Sequence, residues 1–303
     1  MSTASRGIKP RGIDRSTDIV VLILLVILLI IIAYPLYFII IASISAPSDV
    51  TTGKVLLFPS GTNFEGYKKI LQYSMIWVGY RNSIIYAALG STISVALSLM
   101  TAYVFTRRDL VGRKFLLTLF LIPMFFGGGL VPTYLWMRDL GLLNKPIILV
   151  LMGSVSMYNI IITRTFLDSN IPSELLDSAR IDGCNNVNYF TRIVLPLSKA
   201  IIAVLFVFGI VAQWNSFFNA LIYINNRKYY PLQLVLREIL SAQTSMMQQM
   251  EMGLLNEDNM KQLLLAESMK YGVIIVSSIP MMLVYPFAQK YFIKGIMIGS
   301  IKG

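Results

Sequence analysis

The stretch Glu174-Leu175-Leu176-Asp177-Ser178-Ala179-Arg180-Ile181-Asp182-Gly183-Cys184, continued by Asn185-Asn186-Val187-Asn188-Tyr189-Phe190-Thr191-Arg192-Ile193-Val194-Leu195-Pro196, decides how the rest of the chain is read. It is a polar island between two long apolar runs. The pattern predicts a short helix with Ser173 as its N-cap, the hydroxyl taking up a free first-turn amide. Glu174 and Asp177 then lie near the positive end of the helix dipole. Gly183 fits the residue that stops the helix, because it enters the left-handed region without a Cβ clash. Asn185 or Asn186 caps a second short helix, closed by Pro196. Two short helices at an angle on a membrane face suit a groove in another protein. A plain connector between spans would share this pattern.

Composition makes the flanking runs membrane spans. The chain is 56% hydrophobic and only 14% charged, against about 25% charged in soluble domains. The net charge of +11 comes without a basic patch interleaved with aromatics, so nucleic acid is not a partner; positive charge flanking spans accounts for it. Cys184 is the only cysteine, which excludes an intrachain disulfide. No histidine is present, which removes the commonest metal ligand and general base.

Six spans are expected, at about 19–42, 82–106, 115–137, 146–166, 199–223 and 271–289. Residues 1–18 form a basic segment before them, 19–292 the permeation domain and 293–303 a tail. The first run is too long for the core of a cleaved signal and is read as retained. Span 2 carries Gly90, Ser91, Ser94 and Ser98, small residues that let helices approach closely in lipid. Span 3 is interrupted by Pro123, Gly127-Gly128-Gly129 and Pro132, which makes it either a pathway-lining segment or a kink at the interface. Within the polar loop 224–270, Leu232, Val235, Leu236, Ile239 and Leu240 recur at helical spacing and predict an amphipathic helix. With both termini inside, the inner segments hold 15 Lys and Arg and the longer outer loops 11, so the 174–196 stretch falls on the cytoplasmic side.

The span interiors carry no Asp, Glu, Lys or Arg. Proton-coupled carriers commonly keep such a charge to bind their ion, so proton coupling is disfavoured. No G-x-x-x-x-G-K-[ST] phosphate loop occurs, so this chain needs a separate ATPase if ATP drives it. No catalytic residue, no metal ligand set and no cofactor of its own are expected; ATP and Mg would belong to the partner ATPase. The uncharged polar groups Gln213, Trp214, Asn215, Phe217 and Asn219 in span 5 suit a sugar pathway, with apolar stacking faces beside hydrogen-bonding amides. Interfacial Trp and interhelical Asn contacts are the alternative use of the same residues.

The run Asp177-Ser178-Ala179, Asp182-Gly183, Phe190, Ile193, Leu195-Pro196 resembles the coupling-loop signature of bacterial ABC importer permeases, written E-A-A, three residues, G, with a later L-P. Asp177, Ser178 and Cys184 depart from single positions of it, Ala200 stands where a second Pro often follows, and the spacing is intact. Asn82-Ser83, Ala102-Tyr103-Val104-Phe105, Gln213 to Phe217 and the tail Lys294 to Gly303, with Lys294, Gly295 and Lys302, extend the resemblance to carbohydrate-uptake permeases of the maltose type. Gly128 to Leu143 further resembles a subgroup for oligosaccharides and polysaccharide fragments.

The resemblance implies an all-α polytopic protein of the bacterial cytoplasmic membrane, with six transmembrane helices and a cytoplasmic coupling helix pair. It implies a second homologous permease, a cytoplasmic ABC ATPase dimer and an extracellular solute-binding lipoprotein as partners, and a carbohydrate as substrate. It assigns ATPase coupling to Glu174, Asp177, Ala179, Asp182, Gly183, Phe190, Leu195 and Pro196, and brings the tail toward the ATPase. A permease for a non-sugar solute and an ATP-independent carrier remain open alternatives on residues alone.

Overall fold

A computed structural model describes residues 12–252, 266, 269–286 and 289. Contacts divide the chain into two compact units, one of residues 1–70 with 243–275, the other of 71–242 with 276–303.

In the first unit, α1 spans Gly12–Ser43 and contains Pro35. Its apolar window faces outward on every side, with none of it buried. That is the behaviour of a helix whose solvent is lipid. The chain after it is tied back by side chains: Tyr34 and Tyr37 donate to the Leu56 and Leu57 carbonyls at 3.2 and 2.5 Å. Two short helices follow, α2 (Pro47–Thr51) and α3 (Glu65–Gln72). Tyr67 donates to the Ser43 hydroxyl at 2.8 Å, and Ser60 donates to Asp49 at 2.7 Å.

The second unit is organised around α4, Ser74–Thr106. It starts two turns before the expected span, because nothing between Ser74 and Asn82 breaks a helix; Arg81 lies within it. Its buried face sets the small and polar Asn82, Ser83, Ser91, Ser94 and Ser98 beside Ile76, Tyr86, Val95, Leu99 and Phe105. Lipid supplies no hydrophobic drive between helices, so close backbone approach does the holding. The approach is closest at Ser91: a Cβ on Gly209 would stand 2.7 Å from that of Ser91. The Ser91 hydroxyl is satisfied within its own helix, donating to the Ala87 carbonyl.

The expected break in span 3 is present. α5 (Arg113–Phe125) and α6 (Leu130–Asp139) bend by 112° across Gly127–Gly129. Gly129 holds φ +86°, a conformation that favours glycine. Pro132 sits in the first turn of α6, where its missing N–H costs little. Gly127 and Gly128 have open space around them, and neither lines the polar cavity described below.

The fourth span is not one helix. α7 (Ile147–Leu151) and α8 (Met157–Asn170) are separated at Gly153, φ +83°, and Ser156 caps α8 by accepting the Asn159 N–H. Span 5 divides likewise into α12 (Lys199–Trp214) and α13 (Phe218–Tyr223), after the helices α9 to α11 of the 172–198 loop. α14 (Leu232–Glu251) is the expected amphipathic helix, burying Leu232, Val235 and Leu236. A last helix, α15, covers Met269–Pro286. Among the described residues three helices are long and apolar enough to cross a membrane, and five spans result if each bent pair counts as one. The tail residues Lys294, Gly295 and Lys302 lie outside the described residues.

The N-terminal end of α4 carries the loop ahead of α14. Asn82 donates to the Lys228 and Tyr230 carbonyls at 2.9 and 3.0 Å. The Tyr86 hydroxyl donates to the Tyr229 carbonyl at 3.0 Å, and the Ser83 hydroxyl accepts the Leu232 N–H at 2.8 Å.

Candidate functional site: the 172–198 loop and a polar cavity

The loop begins with α9, Ser173–Ile181. Pro172 occupies the cap position, so Ser173 is the first helical residue and not the N-cap; its proline neighbour supplies the extended entry instead. Glu174 and Asp177 are exposed, as is Asp182 at the exit. Gly183 holds φ +73° and donates to the Arg180 carbonyl at 3.1 Å, while Cys184 donates to Ala179 at 2.8 Å. These two bonds close a Schellman turn, which satisfies carbonyls the helix end leaves free.

Asn185 caps the second helix by accepting the Asn188 N–H at 2.8 Å. From α10 (Asn186–Tyr189) the chain winds into a π-helical stretch, Phe190–Val194, and on into α11 (Leu195–Leu197). Pro196 therefore does not end the helix. The wider π turn accommodates a residue with no N–H, and the path breaks two residues later, at Ser198. There α12 leaves at 78° to the preceding segment.

One side of the loop is held and the other is open. Ala179, Tyr189 and Val194 are buried against Ala102 and Phe105 of α4 and Ile160 and Leu167 of α8. Phe190 packs on Tyr103 with ring centroids 5.1 Å apart. Ala179 is small because α9 rests against these helices there. On the open side Ile181 is 87% exposed and Val187 68%, large apolar side chains surrounded by acidic and amide groups. Sequence reasoning passed over both. Their signal was present: each is a β-branched apolar residue flanked on both sides by charged or amide residues, Arg180 and Asp182 about Ile181, Asn186 and Asn188 about Val187.

Asp109, in the turn after α4, was also missed. It accepts two hydrogen bonds from Arg107, at 3.0 and 2.8 Å, and a third from Arg180 of α9 at 2.8 Å. The hydrogen bonds from Arg107 foremost hold its carboxyl below the usual carboxylate range, with the charges of Arg107 and Arg180 adding to this. No local pattern marks a pairing across 71 residues.

Of the five span-5 residues expected along a pathway, the structure brings two together. Gln213 and Asn219 line a cavity of about 470 Å³ with Ser94 of α4, Ser156 and Asn159 at the start of α8, and Ser216. The described lining is uncharged. The breaks at Gly153 and at Asn215–Phe217 open this space, since each turns irregular backbone toward it. Trp214 does not face the cavity. It is 2% exposed, and its indole N–H donates to the Ser277 carbonyl at 3.2 Å. Asn215 turns to a separate space of about 380 Å³ and donates to the Val211 carbonyl at 2.9 Å. Phe217 carries the Arg237 guanidinium over its ring at 4.9 Å. Helical geometry separates these neighbours: residues one or two apart point to different faces.

Helices throughout the described residues, a loop buried on one side and open on the other, and a cavity lined by uncharged groups are the architecture of a transport permease. Residues 90–298 match the family of binding-protein-dependent transport system inner membrane components, and the chain belongs to that family. It is 36% identical over 291 residues to the polygalacturonan/rhamnogalacturonan transport system permease protein YtcP of Bacillus subtilis (strain 168), covering 96% of this chain and 99% of the relative. It is 36% identical over 272 residues to the protein LplC of the same organism, covering 89% of each. The crystal structure of a bacterial ABC transporter involved in the import of the acidic polysaccharide alginate contains a chain of the same fold. The TM-score is 0.84 at 29% identity, over 94% of this chain and 100% of that one.

Proposed function

We propose that the chain is the permease subunit of an ATP-driven importer of oligosaccharides, working beside a second homologous permease. A cytoplasmic ATPase dimer, which binds the ATP and Mg, docks on residues 174–196. An extracellular solute-binding lipoprotein delivers the sugar. Both termini lie in the cytoplasm, and the tail with Lys294, Gly295 and Lys302 reaches toward the ATPase. The observation that carries this reading is the two-sided loop. Its inner side is packed on α4 and α8, and its outer side exposes Ile181 and Val187 together with Glu174, Asp177 and Asp182. An apolar anchor inside a polar rim is the anatomy of a protein contact.

In this scheme ATP binding closes the ATPase dimer and draws α9 with it. α9 moves as a rigid lever because its inner side is locked into the core. Gly183, Phe190, Leu195 and Pro196 keep the second helix in register with that motion. The sugar passes the cavity at Gln213 and Asn219, where amides and hydroxyls meet its hydroxyl groups. Trp214, Asn215 and Phe217 support the walls. Relatives that transport polygalacturonan/rhamnogalacturonan, arabinooligosaccharides and galactooligosaccharides favour a carbohydrate cargo over a peptide or an ion.

Affinity purification of the tagged full chain from its native membrane tests the reading. Co-purification of an ATPase, a second permease and a lipoprotein is expected. Oligogalacturonides or neutral arabino-oligosaccharides should then raise ATP hydrolysis by the reconstituted complex. Sugar uptake on an ion gradient without nucleotide would instead establish a secondary carrier.

A further inference from the structure

α4 is held at both ends by groups that the coupling loop alone does not explain. At its N-terminal end Asn82 is 4% exposed, yet its amide is spent on two loop carbonyls, Lys228 and Tyr230. Gly79 lets the same loop come close: a Cβ there would stand 2.9 Å from the Leu232 Cα. At its C-terminal end the ring of Tyr103 packs on Phe190, and Arg107 and Arg180 share Asp109. From Asn82 to Thr106 the helix runs unbroken and without proline, about 37 Å at 1.5 Å per residue. A helix of this kind, packed closely on α12 and α8, moves as one body.

We infer that Asn82 and Asp109 are positioning residues through which α4 ties the 228–232 loop to the coupling helix α9. The inference rests on the reading of residues 174–196 as the ATPase contact. A push on α9 reaches Asp109 through Arg180 and passes into the end of α4. The far end of the rod then carries the 228–232 loop through Asn82. Nucleotide state beneath the permease is thereby reported at the start of α14, on the other end of the helix. α8 and α12 are joined covalently to the coupling loop. α4 is joined to it only by side chains, so its share of the motion can be removed by substitution. A demonstrated change of state at both ends is the evidence such coupling requires.

The test uses the complete transporter with Cys184→Ser and Lys228→Cys. Labelling of the new thiol by a membrane-impermeant maleimide is timed with and without ATP, Mg and orthovanadate. Trapping is expected to change the labelling rate about fivefold or more, the low end of an allosteric coupling, and Asn82→Ala or Asp109→Asn should shrink the change to within about twofold. The ATPase should remain in both purified complexes, and Asp109→Glu should restore the response. Arg180→Gln breaks the same tie from the other side if Asp109→Asn fails to assemble. An undiminished response in these variants, or none in the parent, overturns the inference. A parent complex lacking the ATPase overturns the underlying reading and the inference with it.

Discussion

Gly183 shows what one residue decides at the foot of the molecule. Its φ of +73° is closed to most side chains, but the space around it is empty. Gly183→Ala therefore strains only the backbone, by about 1–2 kcal/mol, and should lower uptake modestly. Gly183→Pro also removes the N–H that donates to Arg180, and should abolish uptake while the protein still reaches the membrane. Uptake rates beside membrane immunoblots check both. Asp109 makes the matching electrostatic case. Its carboxyl is depressed in the folded protein, so its contribution is complete above the unfolded value of about 3.9 and is lost as pH falls through the lower folded value. The Arg107–Asp109–Arg180 tie is thus insensitive to pH between about 5.5 and 8. The ratio of labelling rates at Lys228→Cys with and without trapping, each corrected for the thiolate fraction, should therefore stay constant across that window. Gly183 was legible in the sequence because a helix stop is local chemistry. Asp109 was not, because its partner is distant along the chain. Trp214 misled for a related reason: its residue type suited a sugar, but its position on α12 points it into packing.

At the scale of elements, the contact between α4 and α12 depends on the absence of side chains. Gly209→Val places bulk against the backbone of α4 and should cost about 1–3 kcal/mol by overpacking. Lower yield of folded protein and a lower melting temperature in detergent are expected. Gly209→Ala should show the same effect in weaker form, since its Cβ would meet Ser91 at 2.7 Å. Apolar run lengths located the long helices α1, α4 and α15, and helical spacing located α14. The breaks inside spans 4 and 5 were harder to see. Gly153 and Asn215–Phe217 sit in apolar surroundings where a single glycine or amide is tolerated in a straight helix. Only the cavity they border gives those breaks a purpose.

At the scale of the whole molecule, the two units differ in how they meet their solvent. The second packs α4 inside, its small and polar residues lying beside apolar clusters such as Phe105, Ile160 and Leu167. The first leaves the apolar window of α1 uncovered, with Leu24, Leu25 and Leu28 all exposed, and buries only its end at Ile41–Ser43. A charge at its centre, as in Leu25→Arg, should cost about 2.5–3.5 kcal/mol of insertion. A glycosylation-site insertion assay reads that loss directly. The same substitution in a protein-covered helix would be met by neighbours.

The nakedness of α1 also bears on how the protein is made. It precedes the other described helices, and its apolar window needs none of them to shelter it. Nascent chains halted before Ser74 should already resist extraction by alkaline carbonate. Biogenesis would then start from a lone anchor that waits in the bilayer while the working bundle is threaded in behind it.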